Sequence, residues 1–309
     1  MAESRQTVAE TLAGVCARRP ILSPLVLVFQ PLLEAQALLP AQLEPLLAAT
    51  KPSLTWQAER GQQGVPLLAG ANLHGLGAAL RQSATTLLPL LQAHQSIQAH
   101  MPAAAAFFLP QSENAAASTA AEALLAGDEK SLSVLAHKAN VPPSLFVFVL
   151  ETILTPVLRA VVHSTENHAW NRENAWHEGY CPVCGAFPTF AWLDKAIFDE
   201  KNAFLAGGGG KKHLHCGQCG AEWHFRRGAC PACGEEGSGI IELLKEAKDA
   251  QGERIDWCTK CKSYCPVVDL REREGFPNPD AMALGMMHLD LVAAEKKLHP
   301  LKASFWNQF

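Results

Sequence analysis

The sequence lacks several features that identify whole classes of protein. It contains no Ser-His-Asp order, phosphate-binding loop or paired-carboxylate motif, so no catalytic centre is visible and we expect a protein that is not an enzyme. Its most apolar run, residues 145–158, is too short and too interrupted for a membrane span of about 20 residues. The first 19 residues carry neither an apolar signal segment nor a twin-arginine signal, so we expect a cytoplasmic protein.

The chain also carries little net charge. A formal charge of −4 over 309 residues, with 12 basic and 14 acidic side chains between residues 171 and 270, argues against a nucleic-acid partner. One local group of cations and aromatic residues remains, and it keeps a nucleic-acid-binding zinc-ribbon protein as an alternative. The group consists of Lys211, Lys212, Trp223, Phe225, Arg226 and Arg227.

Cysteine is nearly absent outside one segment. Of the ten cysteines, only Cys16 lies before residue 181, so disulfides do not hold the N-terminal part together, and unoxidised thiolates indicate a reducing compartment. Eight of the others form four Cys-x-x-Cys pairs. Two such turns offer four thiolates to one tetrahedral metal ion, so the four turns predict two four-cysteine sites. The pairs are Cys181/Cys184, Cys216/Cys219, Cys230/Cys233 and Cys258/Cys261.

The order of turns and strands predicts which pairs share an ion. Each half of the segment reads as a turn, a β-hairpin, a second turn and a strand, which is typical of a zinc ribbon or rubredoxin-like module. The predicted strands are 187–193, 212–215, 222–226, 240–244 and 255–257. We therefore assign Cys181, Cys184, Cys216 and Cys219 to site one, and Cys230, Cys233, Cys258 and Cys261 to site two. A cross-braced arrangement, first turn with third and second with fourth, is the alternative.

The residues after each turn favour metal binding over disulfides. Gly185, Gly220 and Gly234 follow the first three pairs, where a residue without Cβ can adopt a positive φ. Lys262 follows the fourth pair, which should be the least regular turn, and we expect no metal role for Cys265. Fully thiolate sites are usually structural, which makes thiol redox catalysis or iron-based electron transfer the minor interpretation. Four sulfurs accept zinc or iron, so the sequence does not identify the metal.

The segments on either side of the cysteines read as helical. Apolar residues at steps of three and four predict helices at 7–17, 31–39, 41–49, 75–99, 115–125 and 131–139, and a central buried helix from residue 143. After the ribbons, Asn278-Pro279-Asp280 predicts the start of a C-terminal helix, with one apolar stripe. The stripe comprises Leu284, Met287, Leu291, Ala294 and Leu298.

These elements predict an α+β protein of three parts. An all-helical domain covers residues 1–170, a double rubredoxin-like, metal-binding domain covers 171–273, and a C-terminal helix and tail cover 274–309. The apolar helices permit a homodimer, although no single face is marked for one.

The cysteine segment resembles the FdhE family of formate dehydrogenase accessory proteins. The resemblance rests on residues 180–188 (YCPVCGAFP) and 213–224 (HLHCGQCGAEWH), on the third and fourth cysteine pairs with Tyr264, and on residues 288–291 (HLDL). A single Cys-x-x-Cys pair is a weak signal, whereas this series with its Glu-Trp-His is specific. The chain departs from the pattern at Lys262 and at the insertion 195–212, which lengthens the first hairpin.

The resemblance implies a cytoplasmic maturation factor, or chaperone, for respiratory formate dehydrogenases that the twin-arginine system exports. It implies binding to the catalytic subunit before export, with rubredoxin-like iron held by the eight paired cysteines. We expect the ribbons to form a rigid protein-binding surface, with Trp223, His224, Arg226 and Arg227 as contact candidates. The alternatives are the nucleic-acid-binding protein above and an iron-dependent redox factor that acts on the cofactor of its partner.

Overall fold

A computed structural model shows the predicted mixture of helix and sheet, with the helices N-terminal to the ribbons. It describes residues 4–48, 56–110, 115–172, 175–195, 210–246, 250–304 and 307, so most of the predicted insertion in the first hairpin lies outside the described residues. The N-terminal helices are α1 (Val8–Arg18), α2 (Ser23–Ala48), α3 (Ala58–Gln62), α4 (Gly77–Gln92), α5 (Met101–Phe108), α6 (Ala115–Ala126), α7 (Glu129–Lys138) and α8 (Pro143–His163).

Helix α1 begins where the sequence places it because its first turn is capped. The Thr7 hydroxyl accepts a hydrogen bond from the Glu10 backbone N–H, and the Glu10 carboxylate accepts one from the Thr7 backbone N–H. This reciprocal pair satisfies two N–H groups that the helix itself leaves without partners.

The prediction of separate helices at 31–39 and 41–49 is wrong, because α2 runs through Pro31 and Pro40 as one helix. Its buried residues recur every three or four positions and pack on α4 and α8. Burial of each large apolar side chain contributes about 1.5–3 kcal/mol, and the seven large apolar residues among the buried positions together outweigh the roughly 3 kcal/mol that each of the three interior prolines costs. The buried positions are Val26, Phe29, Leu32, Leu33, Gln36, Leu39, Pro40, Leu43 and Leu47.

Two helical stretches are long and apolar enough to cross a membrane by length and composition alone. They are Pro20–Leu47 and Pro143–His163, with 33% and 78% of their most apolar windows buried. The second stretch is α8, which lies at the centre of the helical part as predicted and packs against α2, α4 and α7. The predicted helix at 75–99 is shorter, ending at Gln92, and α5 was not predicted as a separate helix.

One sheet joins the two predicted ribbons. Its strands are β1 (Phe190–Leu193), β2 (Lys212–His215), β3 (Glu222–Phe225), β4 (Ile241–Leu244), β5 (Glu253–Cys258), β6 (Ser263–Asp269) and β7 (His299–Pro300). The order is β3-β2-β1-β6-β5-β4, with β7 paired to β6. Strand β6 is the link, because it pairs in parallel with β1 of the first ribbon and antiparallel with β5 of the second.

The C-terminal helix is broken in two, as α9 (Pro279–Gly285) and α10 (Met287–Glu295). Asn278 caps α9 as predicted, accepting hydrogen bonds from the N–H groups of Asp280 and Ala281. The break at Met286 changes the helical phase, so the predicted apolar stripe is only partly right. Leu284 and Leu298 are buried and Met287 is partly buried, but Leu291 and Ala294 are exposed, and Leu289 is buried instead.

Both faces of the sheet are covered at its central strands, whereas the edge strand β4 is largely exposed. Trp192, Ile255 and Tyr264 on one face form a core with Met282 of α9 and Leu289 of α10. Residues of the other face belong to the main core, which is continuous with the helices around α8. The division of the chain at residues 170 and 273 stays a prediction.

Asp290 on α10 makes the stability of this C-terminal packing depend on pH. It is buried, it accepts a 2.7 Å hydrogen bond from Tyr264 Oη, and burial raises its pKa to about 7. The folded protein therefore holds this proton more tightly than the unfolded chain, in which the pKa is about 3.9. The contribution of Asp290 to stability is complete below about pH 4 and is lost as the pH rises to about 7.

We expect Asp290→Asn to remove this loss of stability at high pH. At pH 4 the variant and the unaltered protein should melt at similar temperatures, because the protonated carboxyl and the amide are alike in shape. At pH 8 the variant should be more stable by roughly 2–4 kcal/mol, since it has no carboxylate to bury. Other titrating groups, including the nearby Cys265 thiol, are common to both proteins and cancel in the difference. A difference in melting temperature that is the same at both pH values would contradict this assignment.

Candidate metal centres

The structure brings the eight paired cysteines together in the two groups of the ribbon arrangement and not in the cross-braced one. In site one, Cys181 Sγ lies 3.4 Å from Cys219 Sγ, and Cys184 Sγ lies 3.5 Å from Cys216 Sγ. All four sulfurs lie within 4.8 Å of one another. A metal ion bonded to four sulfurs at about 2.3 Å in a tetrahedron holds them roughly 3.8 Å apart, so this group can hold a metal ion.

Site two has the same arrangement with slightly longer separations. Cys230 Sγ lies 3.6 Å from Cys261 Sγ, and Cys233 Sγ lies 3.7 Å from Cys258 Sγ. The thiols are free rather than joined as disulfides. A disulfide would need a separation of about 2.05 Å, so both groups suit a metal ion better than oxidation.

The turns that carry the cysteines share one backbone pattern. In each, the N–H four residues after the first cysteine donates to the carbonyl of that cysteine: Gly185 to Cys181, Gly220 to Cys216, Gly234 to Cys230 and Lys262 to Cys258. This geometry needs a positive φ at the donating residue, which is 78°, 73° and 74° at the glycines and 63° at Lys262. The fourth turn therefore keeps the geometry without glycine, at some steric cost.

The surroundings of the two sites differ. All four site-one cysteines are buried in the main core, beside Val183, Leu214 and Trp223. Burial raises the pKa of the Cys181 and Cys219 thiols well above the usual value, so only a bound cation can make a fully ionised group favourable there. At site two, Cys233 is exposed and Cys261 is partly exposed.

This difference predicts which metal ion leaves first. When a chelator is added in excess, release followed by a metal indicator should show a fast phase from site two and a slow phase from site one. Cys233→Ser should abolish the fast phase and leave the slow one, because that cysteine is the exposed member of the outer group. Release in a single phase, or loss of the slow phase in this variant, would contradict the assignment.

Helix α8 supports the second turn of site one. Arg159 Nη2 donates to the carbonyl of Gly217 at 2.8 Å, and Gln218 Nε2 donates to the carbonyl of Glu151 and to Thr155 Oγ1, each at 3.1 Å. Gly217 and Gln218 are the two residues between Cys216 and Cys219. The cysteine turn is thus attached to the central helix by three hydrogen bonds.

A buried ionic group extends this attachment to α9. Arg159 Nη1 lies 2.9 Å from Asp280 Oδ2, and His215 Nε2 lies 3.1 Å from Asp280 Oδ1. His215 Nδ1 also lies 3.4 Å from Glu222 Oε1. Burial alone would lower the pKa of His215, but the two carboxylates outweigh it and raise the pKa to about 9. His215 thus contributes a charge beside site one rather than a metal ligand.

Sequence reasoning missed these supporting residues. Arg159 could have been recognised from the sequence, because it is the only charged residue between Glu151 and His163 in an otherwise apolar helix. Such a lone charge needs a buried partner. The sulfur of Cys265 lies outside both groups, and burial raises its pKa to about 12, so the thiol stays protonated.

The four residues predicted to contact a partner differ in their exposure. Trp223 is fully buried, and its Nε1 donates to the carbonyl of Glu178, so its place on a contact surface is a mistaken expectation. A tryptophan next to exposed polar residues in sequence points to the opposite face of a strand. His224, Arg226 and Arg227 are exposed.

Known proteins with similar sequences carry the FdhE name. A protein FdhE homolog of Aquifex aeolicus is 26% identical over 157 residues, which cover 51% of this chain and 52% of that protein. A homolog from Shewanella baltica is 33% identical over 107 residues, 34% of this chain and 30% of that protein. The aligned part of this chain thus spans about half of the first relative and less than a third of the second. No protein-family model matches the chain.

The fold extends the likeness to nearly the whole chain. The crystal structure of the FdhE protein from Pseudomonas aeruginosa superposes with a TM-score of 0.57, covering 95% of this chain and 92% of that one at 21% sequence identity. An identity this low shows the shared fold alone, and the specific likeness lies in the aligned sequences. In sequence and in fold, this chain resembles the FdhE proteins.

Proposed function

We propose that this chain is a cytoplasmic accessory protein of respiratory formate dehydrogenase that binds the catalytic subunit before export and is not itself an enzyme. The observation that carries the proposal is the FdhE fold over 95% of the chain, joined to sequence identity with FdhE homologs. Subunit binding comes from the family resemblance, because the aligned relatives are covered only in part.

The metal groups support a structural rather than a catalytic role. Four sulfurs complete a tetrahedron and leave no open position for a substrate, which is typical of structural sites. We propose that Cys181, Cys184, Cys216 and Cys219 bind one ion and that Cys230, Cys233, Cys258 and Cys261 bind a second, each iron or zinc. The ion of site one would fix the sheet to the helices, because its second turn is hydrogen-bonded to α8.

A genetic experiment tests the proposal most directly. Deleting the gene from its host should abolish most formate dehydrogenase activity of the exported enzyme, and the tagged protein should capture the catalytic subunit from the cytoplasm. A catalytic subunit that is made at normal levels but is inactive would show that maturation, not synthesis, has failed. Unchanged activity in the deletion strain would contradict the proposal.

The redox alternative has one observation in its favour. The exposed sulfur of Cys233 would let an iron ion at site two exchange electrons with a partner. This role requires a metal ion that changes oxidation state, so the purified protein must show a visible spectrum that reductant bleaches and oxidant restores. Protein that contains only zinc and stays active in the genetic assay would exclude it.

A further inference from the structure

A cleft opens beside the β2–β3 hairpin, on the side of the 3-10 segment Glu166–Asn171. Its volume is about 680 Å³, which is the size of a site for a peptide segment or a small ligand. The floor contains the rings of Trp170, Trp176 and Phe225. The rim is formed by Arg172, His177, Lys211, His224, Arg226 and Arg227. We call the whole feature the cationic cleft.

The described residues that line this cleft carry charge of one sign. No acidic residue lines it among the described parts of the chain, although the whole chain has a net charge of −4. Arg226 is paired with Glu236. Arg172, Lys211 and Arg227 have no carboxylate partner among the residues that the structure describes. Burial, His213 and Lys211 lower the pKa of His224, which is consistent with a positive local potential. The cleft is therefore built to attract an anion.

Burial of the aromatic rings in the floor indicates which class of anion the cleft can bind. Trp170, Trp176 and Phe225 are 2%, 5% and 9% exposed. The Nε1 groups of the two tryptophans donate to the carbonyls of Glu222 and Tyr180. Single-stranded nucleic acid is bound by stacking bases on exposed rings, and these rings offer no such face. Carboxylates on a flexible peptide need only the cations of the rim.

From this geometry we propose that the cationic cleft binds an acidic, unstructured segment of a partner protein, with Arg172, Lys211 and Arg227 as its principal contacts. This inference rests on the proposed function, because it assigns a chemical character to the surface of the partner protein. The cations lie on two elements that the packed tryptophans hold together, so the cleft is formed before the partner arrives. A preformed site of this kind loses little entropy on binding.

The experiment uses the full-length, metal-containing protein and a fluorescein-labelled poly-glutamate peptide as the probe, followed by anisotropy. The unaltered protein should bind the peptide at low salt, with affinity that falls as salt is added. Lys211→Glu with Arg227→Glu should weaken binding at least about tenfold, because two attractive contacts become repulsive. Arg172→Glu alone, on the other side of the cleft, should weaken it as well.

A matched control keeps the net charge change equal. Lys130→Glu with Lys138→Glu places the same reversal on the exposed surface of α7, distant in sequence from the cleft, and should leave peptide binding unchanged. Metal content and helical circular dichroism, equal in all variants, show that the fold is retained.

Three results would overturn the inference. They are no peptide binding by the unaltered protein at low salt, equal weakening in the cleft and control variants, and tighter binding of single-stranded DNA that the cleft substitutions abolish. The last would assign the cleft to nucleic acid instead. Capture of the catalytic subunit is measured separately. A protein that captures the subunit but does not bind the peptide would contradict this inference without contradicting the proposed function.

Discussion

Replacing Cys216 and Cys219 with serine should cost the protein its folded structure. These residues supply half of a buried group whose second turn is attached to α8, so the loss affects the helical part as well as the sheet. A structural zinc site of this kind contributes about 10–16 kcal/mol in isolated modules. The whole stability of a domain is about 5–15 kcal/mol, so loss of this ion should remove most or all of it.

The expected result is an insoluble or largely unfolded protein, seen by circular dichroism and by rapid digestion under limited proteolysis. The matched control is Cys230→Ser with Cys233→Ser, which removes the same number of sulfurs from the outer site. That variant should lose one metal ion per chain and keep the helical signal, because site two lies among exposed turns. A site-one variant that melts like the unaltered protein would contradict the structural role of this ion.

The second large effect should follow from Glu253→Gln. The side chain of Glu253 is 1% exposed and faces three guanidinium groups. Its Oε1 lies 2.5 Å from Arg18 Nη1 and 3.2 Å from Arg273 Nη1, and its Oε2 lies 2.8 Å from Arg19 Nη1. Removing the carboxylate leaves these largely buried cations without their common counter-charge. We expect a loss of about 3–5 kcal/mol in the free energy of unfolding at pH 7.

Glu246→Gln is the control for this prediction. Glu246 also pairs with Arg19, at 2.8 Å, but its side chain is 42% exposed. An exposed ion pair contributes about 0–1 kcal/mol, so the control should melt almost like the unaltered protein. Chemical denaturation with metal-saturated protein measures both variants. Equal, small effects would show that burial of Glu253 does not set the strength of these contacts.

The cysteine spacing predicted the local geometry of the sites well because it is a local signal. The turn residues Gly185, Gly220 and Gly234 have the positive φ expected of them. The order of turns along the chain was enough to favour the observed grouping of sulfurs, since each hairpin brings its own two turns together.

The ribbon pattern predicted a strand after the fourth turn, but the pairing of this strand, β6, with β1 was not predicted, because β1 is distant in sequence and because β6 contains Pro266. A proline argues against a central strand, since it has no N–H to donate. In the structure, Cys265 and Pro266 pair only with β5, and the parallel pairing with β1 begins at Val267. The proline therefore lies outside the part of β6 that has neighbours on both sides.

Two other differences have the same origin in long-range packing. The prolines of α2 read as helix ends in sequence, yet the helix continues because its buried face packs on α8. The cationic cleft combines Arg172, which precedes the first cysteine, with Lys211 and Arg227 of the hairpin. In the sequence, Lys211 and Arg227 belonged to one recognisable group of cations, and Arg172 did not.

Metal content of freshly purified protein, measured together with an anaerobic visible spectrum, tests the central claim most directly. We expect two metal ions per chain, one for each four-cysteine group, and one ion per chain after Cys230→Ser with Cys233→Ser. A bleachable rubredoxin-like spectrum would identify iron, and a colourless protein with the same stoichiometry would identify zinc. Folded protein that binds no metal ion under reducing conditions would contradict the account.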